Sequence, residues 1–209
     1  MAIDKIVWID CEMTGLELEV DELIEVAAIV TDFDLNPVDE GVDVIIKPSQ
    51  RARENMNEFV TNMHTTSGLI DKLDAGTSID EATTIVLDYI KKHVPEPGKA
   101  PLGGNSVGTD KTFLQKQMPD VVDYLHYRII DVSTIKELAK RWLPRAYFNA
   151  PEKTGGHRAL GDILDSIQEL KYYRNVAFVD DVTTDTAAKA SRAVTESQTG
   201  DSPAPDSQK

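Results

Sequence analysis

The chain has 209 residues, 41% of them hydrophobic, with Cys11 as its single cysteine. That is enough to bury one α/β core, too little for two ordinary domains, and it excludes a disulfide framework. With 22 Lys and Arg against 36 Asp and Glu the net charge is −14, which opposes long-range attraction of a polyanion, so a nucleic acid partner would have to be held locally.

No apolar run reaches membrane-spanning length and no basic-apolar leader stands at the start, so the sequence reads as a protein of a reducing cytoplasm. Ile6 to Ile9 is an unbroken apolar strand that runs into Asp10-Cys11-Glu12. Strand side chains alternate, so Asp10 and Glu12 share a face roughly 7 Å apart along the strand, while Cys11 points the other way into the core. Paired carboxylates without thiolate or imidazole neighbours suit Mg²⁺ or Mn²⁺ better than zinc. The alternative is that the strand stops at Ile9 and both acids face water.

Leu23 to Phe33 and Val42 to Lys47 read as two further strands, folded back antiparallel through the turn at Asn36-Pro37. Glu25, inside the first of them, reads as an edge or hydrogen-bonded acid. Arg51 to Ser67 reads as one helix with Met56, Phe59, Val60 and Met63 on a face and Gly68 as its stop. His64 follows that face, either as a packing or capping residue or as a substrate contact. Ser78-Ile79-Asp80-Glu81 is a capping box for a helix striped by Ile79, Ala82, Ile85, Val86, Tyr89 and Ile90, closed by Pro95 and Pro97.

Pro101 to Ser106 predicts a short strand or turn, followed by a helix in which Asp110 shares a face with Phe113 and Leu114. Asp110 is then either a buried acid in need of a partner or a first-turn acid favoured by the helix dipole. His126 to Val132 predicts a strand, and the helix after it, through Ile135, Leu138, Ala139 and Trp142, has Asp131, Ser133 or Thr134 as possible caps. The last core helix carries Leu160, Ile163, Leu164, Ile167 and Leu170. His157 and Asp162 lie about 140° apart on a helix, so they can cooperate only if His157 sits on the glycine loop or at the helix start. Periodicity alone leaves Asp162 on the solvated side. From Val179 onward aromatics vanish, and residues 179–209 read as a disordered acidic tail beside a domain of residues 1–178.

The order Asp10-x-Glu12, Asp110, His157-x4-Asp162 resembles the histidine-containing branch of the DEDD-type 3′→5′ exonucleases. The stretches Trp-Ile-Asp10-Cys-Glu12-Met-Thr-Gly-Leu16, Gly-Asn-Ser106, His-Tyr127-Arg128, Asp-Val-Ser133-Thr-Ile-Lys-Glu-Leu-Ala and Tyr-Tyr-Arg174 are similar to the oligoribonuclease family over about residues 5–178. The resemblance implies a ribonuclease H-like α/β fold, a mixed five-stranded sheet with its first three strands antiparallel, flanked by helices. It implies two divalent cations, Mg²⁺ or Mn²⁺, on Asp10, Glu12, Asp110 and Asp162, with His157 as general base. It further implies a base wedge at Leu16, a substrate contact at His64, and a 5′-phosphate cap of Ser106 and Ser133. Tyr127 and Arg128 would be supplied by the second subunit of a homodimer, and the expected reaction trims very short RNA, dinucleotides included, to 5′-mononucleotides. Phe59 stands where the family often has tryptophan, and Gly161 where it commonly has a second acid.

Overall fold

The strand that carries the paired acids is longer than its apolar run. β1 (Lys5–Met13) continues through Asp10 and Glu12 because β2 (Leu23–Asp32) pairs with it along its whole length, Asp10 opposite Ala27 and Glu12 opposite Glu25. In this computed structural model, residues 5–153, 156–178 and 182–199 are described. β3 (Val42–Ile45) is antiparallel to β2, whereas β4 (Pro101–Gly104) and β5 (His126–Asp131) run parallel to β1, giving the sheet order β3-β2-β1-β4-β5. The expected mixed sheet with three antiparallel leading strands is what the chain forms.

Helices cover both faces of this sheet, as a strand buried on two sides requires. On one face Val7, Ile9 and Cys11 pack with Ala82, Val86 and Ile90 of α3 (Ile79–His93), Phe113 and Leu114 of α4 (Gly108–Gln117) and Val121 of α5 (Pro119–Tyr124). On the other, Ile6, Trp8, Ala27 and Ile29 meet Val132 and Ala139 of α6 (Val132–Trp142) and Ile163, Ile167 and Tyr173 of α8 (Ala159–Ala177). Asp10 and Glu12 extend this second row, so they emerge on the side of α8. β4 comes close to β1 because it has no side chains there: a Cβ on Gly103 would lie 2.8 Å from Ile6 Cγ2 and 3.1 Å from Trp8 Cδ2.

The single helix expected over Arg51 to Ser67 is two, α1 (Gln50–Asn55) and α2 (Glu58–Thr66). Asn57 breaks it, because its side chain accepts from Val60 N at 2.9 Å and caps the second piece. The break rotates Phe59 outward, to 75% exposure, instead of onto an inner face. A 3-10 helix (Ile70–Ala75), α5 and α7 (Pro144–Phe148) have no counterpart in the sequence reading; each is five or six residues long, below what periodicity can register.

The chain divides into two compact units, one up to Val176 and one from Ala177. Within the second, residues 179–181 and 200–209 lie outside the described residues. Between them stands a helix that composition does not announce, α9 (Thr184–Thr199), begun by Thr183 accepting from Thr186 N at 3.2 Å and braced by Lys189 and Asp185 at 2.8 Å. None of its described side chains is buried. Deleting residues 180–209 should therefore leave the melting temperature essentially unchanged, and a large fall in a thermal melt would contradict this. Among the described residues no helix is long and apolar enough to cross a membrane.

Candidate active site

β1 and β4 are parallel, and the carboxyl end of such a pair is where open α/β sheets place ligands. Here that end is acidic. Asp10 and Glu12 come from β1, and Asp162 arrives from the first turn of α8. Each of the three offers a carboxylate oxygen within 4.8 Å of the others. Periodicity places Asp162 on the wet side of α8; in the structure it is half-buried, because the buried arc of α8 runs through Ser166 and Glu169 as well as Ile163 and Ile167 while Leu164 is exposed, and the first turn brings Asp162 beside Asp10 and Glu12. Asp110 approaches from α4, buried, with Oδ1 accepting from Cys11 N at 3.0 Å. Asp110 answers to both readings, a buried acid with a partner in the first turn of α4, and Cys11 is core.

These acids oppose one another. Burial, and then the charges of Asp110, Asp162 and Glu12, push Asp10 up to about 9. Burial and Asp162 push Glu12 up to about 8, and burial raises Asp110 to about 6 and Asp162 above the usual carboxylate range. A cluster that must hold protons in the absence of cations is fitted to take a divalent one. Since these folded pKa values lie above the unfolded ones, the folded chain binds more protons, and its metal-free stability falls as pH rises from about 4 towards 9. In chelator, thermal melts should accordingly show a melting temperature that declines between pH 5.5 and 8.5; a flat or rising profile would contradict the cluster's electrostatics.

His157 stands just ahead of α8, exposed, with φ +58°. This is the loop position the spacing to Asp162 demands, and a left-handed backbone at a histidine is a strained state more often found at functional sites. His64 is fully buried. Its Nε2 meets Met13 O at 2.9 Å, and since a carbonyl only accepts, the proton sits on Nε2. Burial lowers its pKa, so the ring is neutral, and among the described residues Nδ1 has no hydrogen-bond partner, lying 3.9 Å from Glu12 Oε2.

Leu16 and Phe59, each 75% exposed, line a cleft of about 680 Å³ with Glu12, Val60 and Met63. The loop bearing Leu16 is shaped by Asp21, which accepts from Thr14 Oγ1 at 2.9 Å and from Glu17 N at 2.8 Å. The carboxylate of Asp21 lies where a Cβ on Gly15 would be. Ser106 (φ +58°) and Ser133 gather on one acid, Asp131, through Ser106 N at 2.8 Å and Ser133 N at 3.1 Å. Tyr127 and Arg128 stand on the outermost strand, exposed, with the guanidinium 5.5 Å from the ring centroid.

Sequence reasoning missed the partners of the supports. Of the two readings for Glu25, edge acid or hydrogen-bonded acid, the second holds: it is fully buried on an inner strand and binds Arg158. Glu169, 3% exposed, collects Lys136 at 3.0 Å, Asn105 at 3.0 Å and Lys153 at 3.6 Å. The only signal for either was an acid at a position that packing makes apolar.

A family model described as Exonuclease matches residues 7–170. The oligoribonuclease of Leifsonia xyli subsp. xyli is 56% identical over 198 residues, 94% of this chain and 96% of that protein. That of Streptomyces coelicolor is 62% identical over 176 residues, 84% of this chain and 88% of that one. Among solved structures, a moderately thermophilic exonuclease I from Methylocaldum szegediense matches with a TM-score of 0.61 at 17% identity, over 83% of this chain and 41% of that one. The zinc-bound E. coli ExoI–ssDNA complex matches with a TM-score of 0.65 at 13% identity, over the same shares. The present chain thus spans 41% of those solved chains, and at such identities the likeness concerns the fold. Close identity over nearly the whole length of the curated relatives, with the exonuclease model matched across the sheet and α8, means that the chain is a nuclease and belongs to the oligoribonuclease family.

Proposed function

We propose that the protein is a cytoplasmic, homodimeric 3′→5′ exoribonuclease that trims very short RNA, including dinucleotides, to 5′-mononucleotides. The observation that carries this is the convergence of Asp10, Glu12 and Asp162 within 4.8 Å, beside buried Asp110 and exposed His157. The donor set is all carboxylate, which suits two hard divalent cations, Mg²⁺ or Mn²⁺, held by Asp10, Glu12, Asp110 and Asp162. Cations held there would supply positive charge to a phosphate and acidify water. The chain's own groups do the rest. His157 takes the proton of the attacking water on a ring nitrogen, Leu16 and Phe59 separate and stack the bases, and His64, from beneath, sets its Nδ1 3.9 Å from Glu12 Oε2.

Asp131 aligns Ser106 and Ser133 for the 5′ phosphate. Ser133 Oγ donates its one proton to Asp131 at 2.8 Å, so it must rotate to meet a phosphate. The exposed Tyr127 and Arg128 on an edge strand support a second copy covering that strand and lending both residues to the partner's cap.

Asp110→Asn replaces a charged ligand by a neutral one while keeping its shape. Calorimetry should show weaker Mn²⁺ binding, and turnover should fall with it; full activity at ordinary Mg²⁺ would reduce Asp110 to a helix-start acid. Polarity is tested with a 5′-labelled trinucleotide. The label should pass through the dinucleotide before reaching the mononucleotide, and direct release of labelled mononucleotide would exclude the 3′→5′ direction.

A further inference from the structure

Glu25 lies directly across the ladder from Glu12, so the two side chains share the face that bears the acid cluster. An unpaired carboxylate with no exposure would be expelled or protonated. Its partner comes from the far end of the domain. Arg158 Nε donates to Oε1 at 2.8 Å, Arg158 Nη2 donates to the same oxygen, and Ala159 N donates to Oε2 at 3.1 Å. Nη2 also reaches Asp43 Oδ2 on β3 at 3.5 Å, so the guanidinium bridges two strands. One acid on β2 thereby caps the first N–H of α8 and grips the residue between His157 and that helix.

We infer that the Glu25–Arg158 pair is a positioning device for the reaction: it bolts the start of α8 to β2 and so sets where His157 and Asp162 stand relative to Asp10 and Glu12. Both transmitted positions are one step from the clamp. His157, with its left-handed backbone, is bonded covalently to Arg158, and Asp162 N donates to Arg158 O at 3.0 Å, closing the first helical turn. A buried ion pair is a poor source of stability compared with apolar packing. What it adds is direction, because a planar fork on a carboxylate fixes angle as well as distance, which an ammonium does not. Displacing catalytic groups by about 1 Å can lower a rate about 100-fold.

This inference rests on the roles given above to His157 and Asp162, and its test separates the two. Arg158→Lys keeps the charge opposite Glu25 but removes the fork. Hydrogen exchange at the amides of Ala159 and Asp162 should accelerate relative to the rest of α8, and Mn²⁺ affinity should drop, both read without substrate. With a dinucleotide at saturating Mn²⁺, kcat should fall at least about tenfold while KM stays within about threefold. The double variant Glu25→Met with Arg158→Met fills the site without a buried charge, and its kcat should stay low even where its melting temperature matches wild type. Wild-type exchange and kcat in Arg158→Lys, or wild-type kcat in the Met pair, would overturn the inference. A wild-type protein that cleaves no dinucleotide would instead refute the proposed function, and the exchange and Mn²⁺ measurements would still decide whether the pair sets α8.

Discussion

Replacing His157 by alanine is expected to lower kcat by about 10²–10⁴-fold, the range that a positioned general base supplies. Mn²⁺ affinity and dinucleotide KM should hardly move. The reason lies in the placement: His157 is exposed on the loop before α8, whereas the oxygens that gather within 4.8 Å belong to Asp10, Glu12 and Asp162. Removing a group that acts only in the chemical step lowers kcat and kcat/KM together. Rapid-quench turnover together with Mn²⁺ calorimetry checks both halves. Unchanged kcat would remove His157 from the mechanism, and lost Mn²⁺ binding would make it a ligand.

Substrate length is expected to matter nearly as much. If Ser106, Ser133 and Arg128 from the second subunit enclose a 5′ phosphate while the acid cluster faces the scissile one, the site has room for about two nucleotides. A longer chain must leave through its 5′ end, losing charge-assisted contacts that contribute roughly 1.5–3 kcal/mol each. Residues 1–178 hold 30 acids against 19 bases, a net −11, so no general attraction compensates. About 1.4 kcal/mol is already tenfold, so kcat/KM should fall at least about tenfold from a 5′-phosphorylated dinucleotide to a chain of five. Arg128→Ala should flatten this by slowing dinucleotides most. Equal kcat/KM across lengths, measured at one salt concentration, would sink the cap.

The paired acids were legible because strand alternation is local: Asp10 and Glu12 share a face whatever the rest of the chain does. The place of His157 was legible for a similar reason, since its spacing to Asp162 forbids a common helix face. Asp162 itself was not. The buried arc of its helix takes in the polar Ser166 and Glu169 and leaves Leu164 exposed, so the apolar stripe misplaces the inner face, and only the end of β1 shows why an acid is there. Glu25 and Arg158 were invisible as a pair, being 133 residues apart and bound by a contact that no period encodes. The break at Asn57 was a local signal overruled by the apolar positions flanking it, and with it went the outward turn of Phe59.

On the proposed function, cations replace protons at the acid cluster, which links stability to catalysis. At pH 8, where Asp10 and Glu12 would otherwise keep protons, Mn²⁺ at about 100 times its Kd should raise the melting temperature by about 5–10 °C, since that excess adds about 2.7 kcal/mol. The central claim, that this cluster with divalent cations cleaves very short RNA, is tested most directly by turnover of a labelled 5′-phosphorylated dinucleotide in excess chelator and after addition of Mg²⁺ or Mn²⁺. The account predicts no conversion in chelator and complete conversion to 5′-mononucleotides with either cation. Equal turnover in both conditions, or an intact dinucleotide beside a degraded 20-mer, would contradict it.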